Sequence, residues 1–425
     1  MPQSRRTFIK SATVSGLAAT STSGLPYLFN ANAMNQPLPS ATEPSPSIIG
    51  HYGPWAASLP TNPPELSFRQ DKWDDIDFWR KEAREKVREY LGAPDIGTNP
   101  PVTVHKKYTY DGLDIEEISW QLPYGRPTEA IMLKPTGATG PLPAVLGLHD
   151  HSGDKYFGKR KITQTGERHP MMVELQENVY SGRAWANDLA KRGYAVLVPD
   201  AFAFGSRRIK FEDISAINRQ GLYVDDKVDG NDENEEYIRE YNRWAGQHEH
   251  VLSKSLFCGG TTWPGVFLAE DQRALDVLCA RPEVDTTKVG CCGLSGGGLR
   301  SAYLGGMDER IACAVCVGFM TTWNDFLLNR AYTHTWMTYI PRLPQFLDFP
   351  EVLGMRVPRP TLVLNNNEDQ LFTLEEMYKA DRILQEVFSK AESAEHYRAS
   401  FYPGLHKFEA DMQGEAFDWF DQWLT

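Results

Sequence analysis

Two hydrophobic rhythms divide the chain, and the change between them falls at Pro143. Before it, strand signals follow one another closely at Val102 to Tyr110, Leu113 to Leu122 and Glu129 to Lys134, with Asp111-Gly112 placed as a hairpin turn. Strands so close in sequence leave no room for crossover helices, so this edge is predicted antiparallel. After Pro143, short apolar runs at Ala144 to Leu148, Tyr194 to Val198, Val289 to Cys292, Ile311 to Val317, Thr361 to Leu364 and Ala399 to Tyr402 are separated by helical stretches. That is the pattern of a mostly parallel sheet buried on both faces, with helices on either side.

Four helices stand out by their 3.6-residue period. One covers Trp73 to Leu91, with Ile76, Trp79, Ala83, Val87 and Tyr90 on a single face, and is expected to pack on the outside of the sheet. Another carries Phe267, Ala274, Val277 and Leu278. A third opens on Thr373-Leu374-Glu375-Glu376, a capping-box pattern, and the last runs from Glu409 through Met412, Ala416, Phe420 and Trp423. Two longer insertions interrupt the rhythm, an acidic one at 206–260 and one rich in aromatic residues and proline at 319–357. Both leave carboxyl ends of strands, where open α/β sheets bind ligands, so they are assigned as lid and cleft wall. Residues 34–100 read as a linker and helix laid against a domain at 101–425.

Candidate chemistry centres on Lys288 to Arg300, KVGCCGLSGGGLR. An apolar run passes into Gly293-Leu294-Ser295-Gly296-Gly297 and then into a helical segment, the strand, turn and helix in which a strained turn presents a serine nucleophile. A phosphate-cradling reading fails, because no Lys-Ser or Lys-Thr pair closes a P-loop. Serine needs a base, and the base needs an acid to orient it. Downstream, Asn365 to Phe372 (NNNEDQLF) follows one strand and Pro403 to Phe408 (PGLHKF) follows another, giving the order serine, acid, histidine. Ser295 is therefore the expected nucleophile and His406 the base. Asp369, preferred over Glu368 because it lies next to the helix and its apolar anchor, is the expected acid. The oxyanion donors are expected at Gly296 and in the loop His149-Asp150-His151, at His151. The same tripeptide invites a metal reading, disfavoured because adjacent turn residues rarely converge on one ion, and no cofactor or metal is expected. His248-Glu249-His250 lacks any metal spacing and is expected to be solvated. Trp323 and Trp336, with Tyr332 and Tyr339, are candidates for a substrate-stacking wall or for ordinary core.

Composition adds a setting. The 425 residues are 41% hydrophobic and 12% aromatic, and no run is long and apolar enough for a membrane span. Ser4-Arg5-Arg6-Thr7-Phe8-Ile9-Lys10, a weakly apolar stretch and Ala31-Asn32-Ala33 have the order of a twin-arginine signal peptide over residues 1–33. The expected partner is the twin-arginine export machinery, and the expected location is periplasmic or extracellular. Loss of those residues, with three basic and no acidic side chains, takes the formal charge from -12 to -15, which excludes bulk electrostatic binding of nucleic acid. Of six cysteines, Cys291, Cys292, Cys313 and Cys316 fall in apolar runs and are expected in the core, while Cys258 and Cys279 are open to pairing.

From Val102 to Trp423 the chain resembles the dienelactone hydrolase and acetyl xylan esterase-like branch of the α/β-hydrolases. The resemblance rests on LGLHDHSGDK, VPDAFAFGSRR, EDQRALDVLCARPEVDTTKVGCCGLSGGG, LNNNEDQLF and YPGLHKF. It implies the α/β-hydrolase fold and a serine carboxylester hydrolase that works through Ser295, Asp369 and His406, with a small-molecule or carbohydrate ester (acetyl or aryl) as substrate. The other readings are a serine peptidase or amidase on the same fold, or a binding protein that has kept the fold. Three positions depart from the pattern. Asp150 stands where a glycine often follows the first histidine, Ser295 replaces the cysteine of dienelactone hydrolases proper, and Gly296 stands where glucuronoyl esterases are expected to carry arginine.

Overall fold

Nine strands form one sheet in the order β1-β2-β3-β5-β4-β6-β7-β8-β9. They are β1 (Val102–Tyr110), β2 (Leu113–Trp120), β3 (Thr128–Pro135), β4 (Leu142–Gly147), β5 (Ala195–Pro199), β6 (Val284–Leu294), β7 (Cys313–Val317), β8 (Thr361–Asn366) and β9 (Tyr397–Tyr402). This computed structural model describes residues 47–221 and 233–425, so the expected signal peptide and the centre of the acidic insertion lie outside the described residues. The described residues form one unit, in which the helix Ile76–Leu91 and the sheet belong together.

Pairing follows the two rhythms. β1, β2, β3 and β5 pair antiparallel in sequence, and from β5 through β4 to β9 every pairing is parallel. Asp111 and Gly112 join β1 to β2 with φ of 51° and 78°, the left-handed pair that a tight hairpin turn needs. A register shift between Val104 and Lys106 interrupts the outer strand, β1.

Each face of the sheet buries its own apolar layer. One layer joins Trp79, Ala83 and Val87 of Ile76–Leu91 to Phe267 and Ala274 of Trp263–Cys279, Leu299 and Ala302 of Gly296–Met307, and Leu384 and Val387 of Leu374–Lys390. The other joins Tyr180 of Pro170–Tyr180, Trp185 and Leu189 of Trp185–Lys191, and Met412 and Phe420 of Ala410–Leu424. Large side chains buried in this way each contribute roughly 1.5–3 kcal/mol of transfer free energy, which is what holds the helices to the sheet. Cys291, Cys292, Cys313 and Cys316 are buried within β6 and β7, and Cys258 and Cys279 are free thiols.

Three local readings change. β6 begins at Val284, five residues before its apolar run, because Val284 pairs with Leu142 ahead of a register irregularity. The polar stretch Asp285 to Lys288 hides this from any hydropathy pattern. Thr373 makes no side-chain cap; its N-H donates to Asp325 Oδ2 at 2.9 Å instead. The first insertion contains a long helix, Glu235–Cys258, whose buried stripe is Ile238, Tyr241, Ala245, Glu249 and Ser253. Its two polar members disguise the stripe in the sequence.

Candidate active site

Ser295 sits between the end of β6 and the helix Gly296–Met307 with φ 58° and ψ -118°, a conformation that costs free energy for any residue with a Cβ. Neighbouring pairings hold it there: Ser295 N donates to Val317 O at 2.9 Å, and its carbonyl accepts from Leu299 N at 2.9 Å. The flanking glycines are required by close approach. A Cβ on Gly293 would stand 2.3 Å from Leu148 O, and one on Gly297 would stand 2.0 Å from the same atom.

His406 lies in the loop after β9, and Asp369 lies in the loop after β8. Main-chain bonds tie the two loops together: Asn367 N donates to Tyr402 O at 2.9 Å and Glu368 N donates to Gly404 O at 3.1 Å. The buried Asp369 carboxylate accepts from His406 Nδ1 at 2.6 Å through Oδ2, and from Leu371 N at 2.9 Å through Oδ1. Its neighbour Glu368 is exposed. With Nδ1 donating to a carboxylate, the neutral imidazole presents Nε2 as an acceptor, and Nε2 is buried with no hydrogen-bond partner among the described residues. The imidazole and the serine turn come close to each other at Gly318, the residue after Val317. A Cβ there would stand 2.9 Å from Leu294 Cδ1 and 3.0 Å from His406 Cε1, and a φ of 57° keeps the position clear. The backbone that holds Ser295 N thus passes close to the histidine ring.

The loop after β4 closes the other side. His151 N lies 3.3 Å from where a Cβ on Gly296 would stand, so the two expected oxyanion donors are neighbours. The side chains of this loop do not converge on an ion. His149 Nε2 accepts from Ala201 N at 3.2 Å, Asp150 accepts from the Tyr180 hydroxyl, and His151 Nδ1 accepts from Gly153 N at 2.9 Å. Burial pushes His149 down to about 3 and His151 down to about 4, so both are neutral near pH 7.

Glu249, expected to be solvated, is instead buried. Its Oε1 accepts from Lys155 Nζ and from His151 Nε2, the latter at 2.8 Å. Burial alone would raise the Glu249 carboxyl, but the His151 hydrogen bond and the Lys155 charge outweigh it and hold the group down at about 2. His248 is half-buried and stacks on Trp244, with ring centroids 4.7 Å apart. The aromatic candidates separate. Trp323 is 8% exposed, packs against Phe349 and Phe326, and donates its indole N-H to Leu347 O at 3.1 Å, which makes it core. Trp336 is 41% exposed and adjoins Met337, whose sulfur lies 3.7 Å from a Cβ placed on Gly296. Lys155 and Lys161 have no role assigned by the sequence analysis, since nothing in their spacing sets them apart from surface charge, and Glu249 is read there as solvated.

No protein-family profile matches the chain. A protein of Bacillus subtilis (strain 168), YtaP, described provisionally as a hydrolase, is 24% identical over 350 residues, which is 81% of this chain and all of that one. Among solved structures, a protein from Bacteroides fragilis described provisionally as an acetyl xylan esterase superposes with a TM-score of 0.62 at 17% identity, covering 83% of this chain and 82% of its own. A glucuronoyl esterase from Solibacter usitatus gives 0.52 at 14% identity, covering 80% and 91%. The sheet order, the serine turn after β6, the acid and histidine loops after β8 and β9, and these superpositions lead to one conclusion: the chain has the α/β-hydrolase fold.

Proposed function

We propose that the chain is an exported serine carboxylester hydrolase acting on carbohydrate esters, acetyl or aryl. The observation that carries this reading is the Asp369 and His406 pair, which leaves a buried acceptor nitrogen without a partner beside the turn that carries Ser295. His406 Nε2 takes the proton as Ser295 Oγ attacks the acyl carbon, and Asp369 holds the Nδ1-H tautomer and offsets the charge on the imidazolium. The oxygen of the tetrahedral intermediate is met by the N-H groups of Gly296 and His151. His406 then returns its proton to the leaving alcohol. Water repeats the sequence on the acyl-enzyme and frees the acid. Support for the substrate class comes from the acetyl xylan esterase and glucuronoyl esterase named among the structural neighbours, and from exposed Trp336 on the segment that borders Gly296. Support for export comes from Arg5-Arg6 and the stretch that follows.

The test is covalent labelling with a fluorophosphonate, together with hydrolysis of p-nitrophenyl acetate. Wild type should label and turn over. Ser295→Ala should fold, fail to label and lose about a thousandfold or more in rate. Asp369→Asn should lose far more than Glu368→Gln. Turnover by folded Ser295→Ala, or a wild type that neither labels nor hydrolyses, overturns the reading, the second result in favour of a binding protein.

A further inference from the structure

Lys161 is among the largest fully buried side chains described, although an ammonium is costly to remove from water. It ends the short turn Lys159–Lys161, whose last carbonyl accepts from Gln176 Nε2 at 3.1 Å. Its ammonium donates to two consecutive main-chain carbonyls, Asp150 O and His151 O, each at 2.8 Å. The Asp150 carboxylate, buried as well, lies 3.6 Å from the same nitrogen through Oδ2 and accepts from the Tyr180 hydroxyl through Oδ1. A buried lysine with two carbonyls and a carboxylate around it is thus fixed to one tripeptide, and that tripeptide carries the expected oxyanion donor.

The geometry of the peptide unit supplies the next step. In a trans peptide the C=O and the following N-H point in opposite directions. Holding Asp150 O on Lys161, with His149 Nδ1 donating to the same oxygen at 3.0 Å, therefore turns the His151 N-H away from the lysine, and His151 N lies 3.3 Å from where a Cβ on Gly296 would stand. No hydrogen bond among the described residues uses that N-H. The ammonium also draws electron density into the Asp150 carbonyl, which makes the N-H of the same amide a stronger donor. The departure at Asp150 fits this arrangement, because its carboxylate supplies the counter-charge that a glycine lacks.

We infer that Lys161 is a positioning residue for the oxyanion hole: it fixes the peptide between Asp150 and His151 so that the His151 N-H faces the reacting carbonyl. This rests on the serine hydrolase reading above. A donor aimed at developing negative charge acts on the transition state and not on the ground state, so its loss should appear in kcat while KM stays near its starting value. It should also depend on the atom that receives the hydrogen bond. A thiocarbonyl sulfur is larger and a poorer acceptor than oxygen, so a well-formed hole favours the oxygen ester.

The experiment compares p-nitrophenyl acetate with its thiono analogue on wild type, Lys161→Met and Lys161→Gln, with folding followed by circular dichroism and thermal transition. For Lys161→Met the expected result is a fall in kcat of about a hundredfold on the oxygen ester, KM within about threefold, and a fall below about tenfold on the thiono ester. The preference for oxygen then collapses by about tenfold. Lys161→Gln keeps one donor and should fall between. Equal losses on the two esters, or an unchanged kcat, overturn the assignment. Failure of both variants to fold overturns it too, since the lysine would then be holding the loop and not the donor. A wild type that hydrolyses neither ester defeats the hydrolase reading itself. An active wild type whose preference survives in Lys161→Met defeats the role of Lys161 alone.

Discussion

At the scale of the residue, Asp369, the proposed acid, is held by its neighbours through the peptide of Leu371. Leu371 N donates to Asp369 Oδ1, while Leu371 O accepts from His334 Nε2 at 2.8 Å and from the Thr333 hydroxyl at 3.0 Å. His334 is packed among Phe319, Phe326 and Phe372, and burial pushes it down to about 4, a shift only partly offset by its bond to Leu371 O. The sign of the resulting pH dependence is definite. Above about pH 6.5 the ring is neutral folded or unfolded and adds no slope. Below that pH the unfolded chain takes up a proton that the folded chain refuses, so stability falls on the order of 1 kcal/mol per pH unit until about pH 4. His334→Gln keeps a donor for Leu371 O without the titration. The stability advantage of the parent over His334→Gln should therefore shrink by about 2 kcal/mol between pH 8 and pH 5, read from urea unfolding at each pH. An advantage that does not change with pH would mean that His334 takes up its proton as readily in the fold as in the unfolded chain.

At the scale of the element, both insertions are fastened to the site by a few side chains. The helix Glu235–Cys258 reaches the loop after β4 through Glu249, which pairs with Lys155 and His151. The segment 319–357 divides between core and rim, and that division makes a prediction. Trp323→Ala should cost about 3–5 kcal/mol of stability, because a buried indole leaves a cavity. Trp336→Ala should leave thermal stability nearly unchanged and weaken turnover of a bulky sugar or aryl ester much more than that of a small acetate ester. Equal kinetic losses on both substrates would assign Trp336 to packing. The sequence separates these elements unevenly. The strands, the serine turn, and the acid and histidine loops were legible, because apolar runs and glycine spacing are local signals. The anchoring of the helix Glu235–Cys258 was not, because Glu249 pairs with residues about a hundred positions away and a charged residue on a helix normally reads as its solvated face.

At the scale of the whole molecule, the sheet joins segments far apart in the chain: β4 at Leu142–Gly147 pairs with β6 at Val284–Leu294, and β5 is inserted between β3 and β4. Such long-range pairing is slow to form, since the loops must close before the contacts repay their entropy. A route that carries finished proteins suits a chain of this kind, and the export proposed above from Arg5-Arg6 is such a route. In a host with the twin-arginine machinery, changing both arginines to lysine should leave the protein active but inside the cytoplasm, as read by fractionation. Unimpaired export of that variant would remove the signal-peptide reading. The register shift in β1 acts at the same scale. Among the described strands β1 pairs only with β2, and its Lys106 and Lys107 are exposed and pair across to Glu117 and Glu116. A straight apolar strand in that place would offer its free hydrogen-bonding groups to any second sheet that met it. A kinked strand carrying two lysines repels its own copy, so the outermost strand works as a guard against stacking and fibre growth in a concentrated solution.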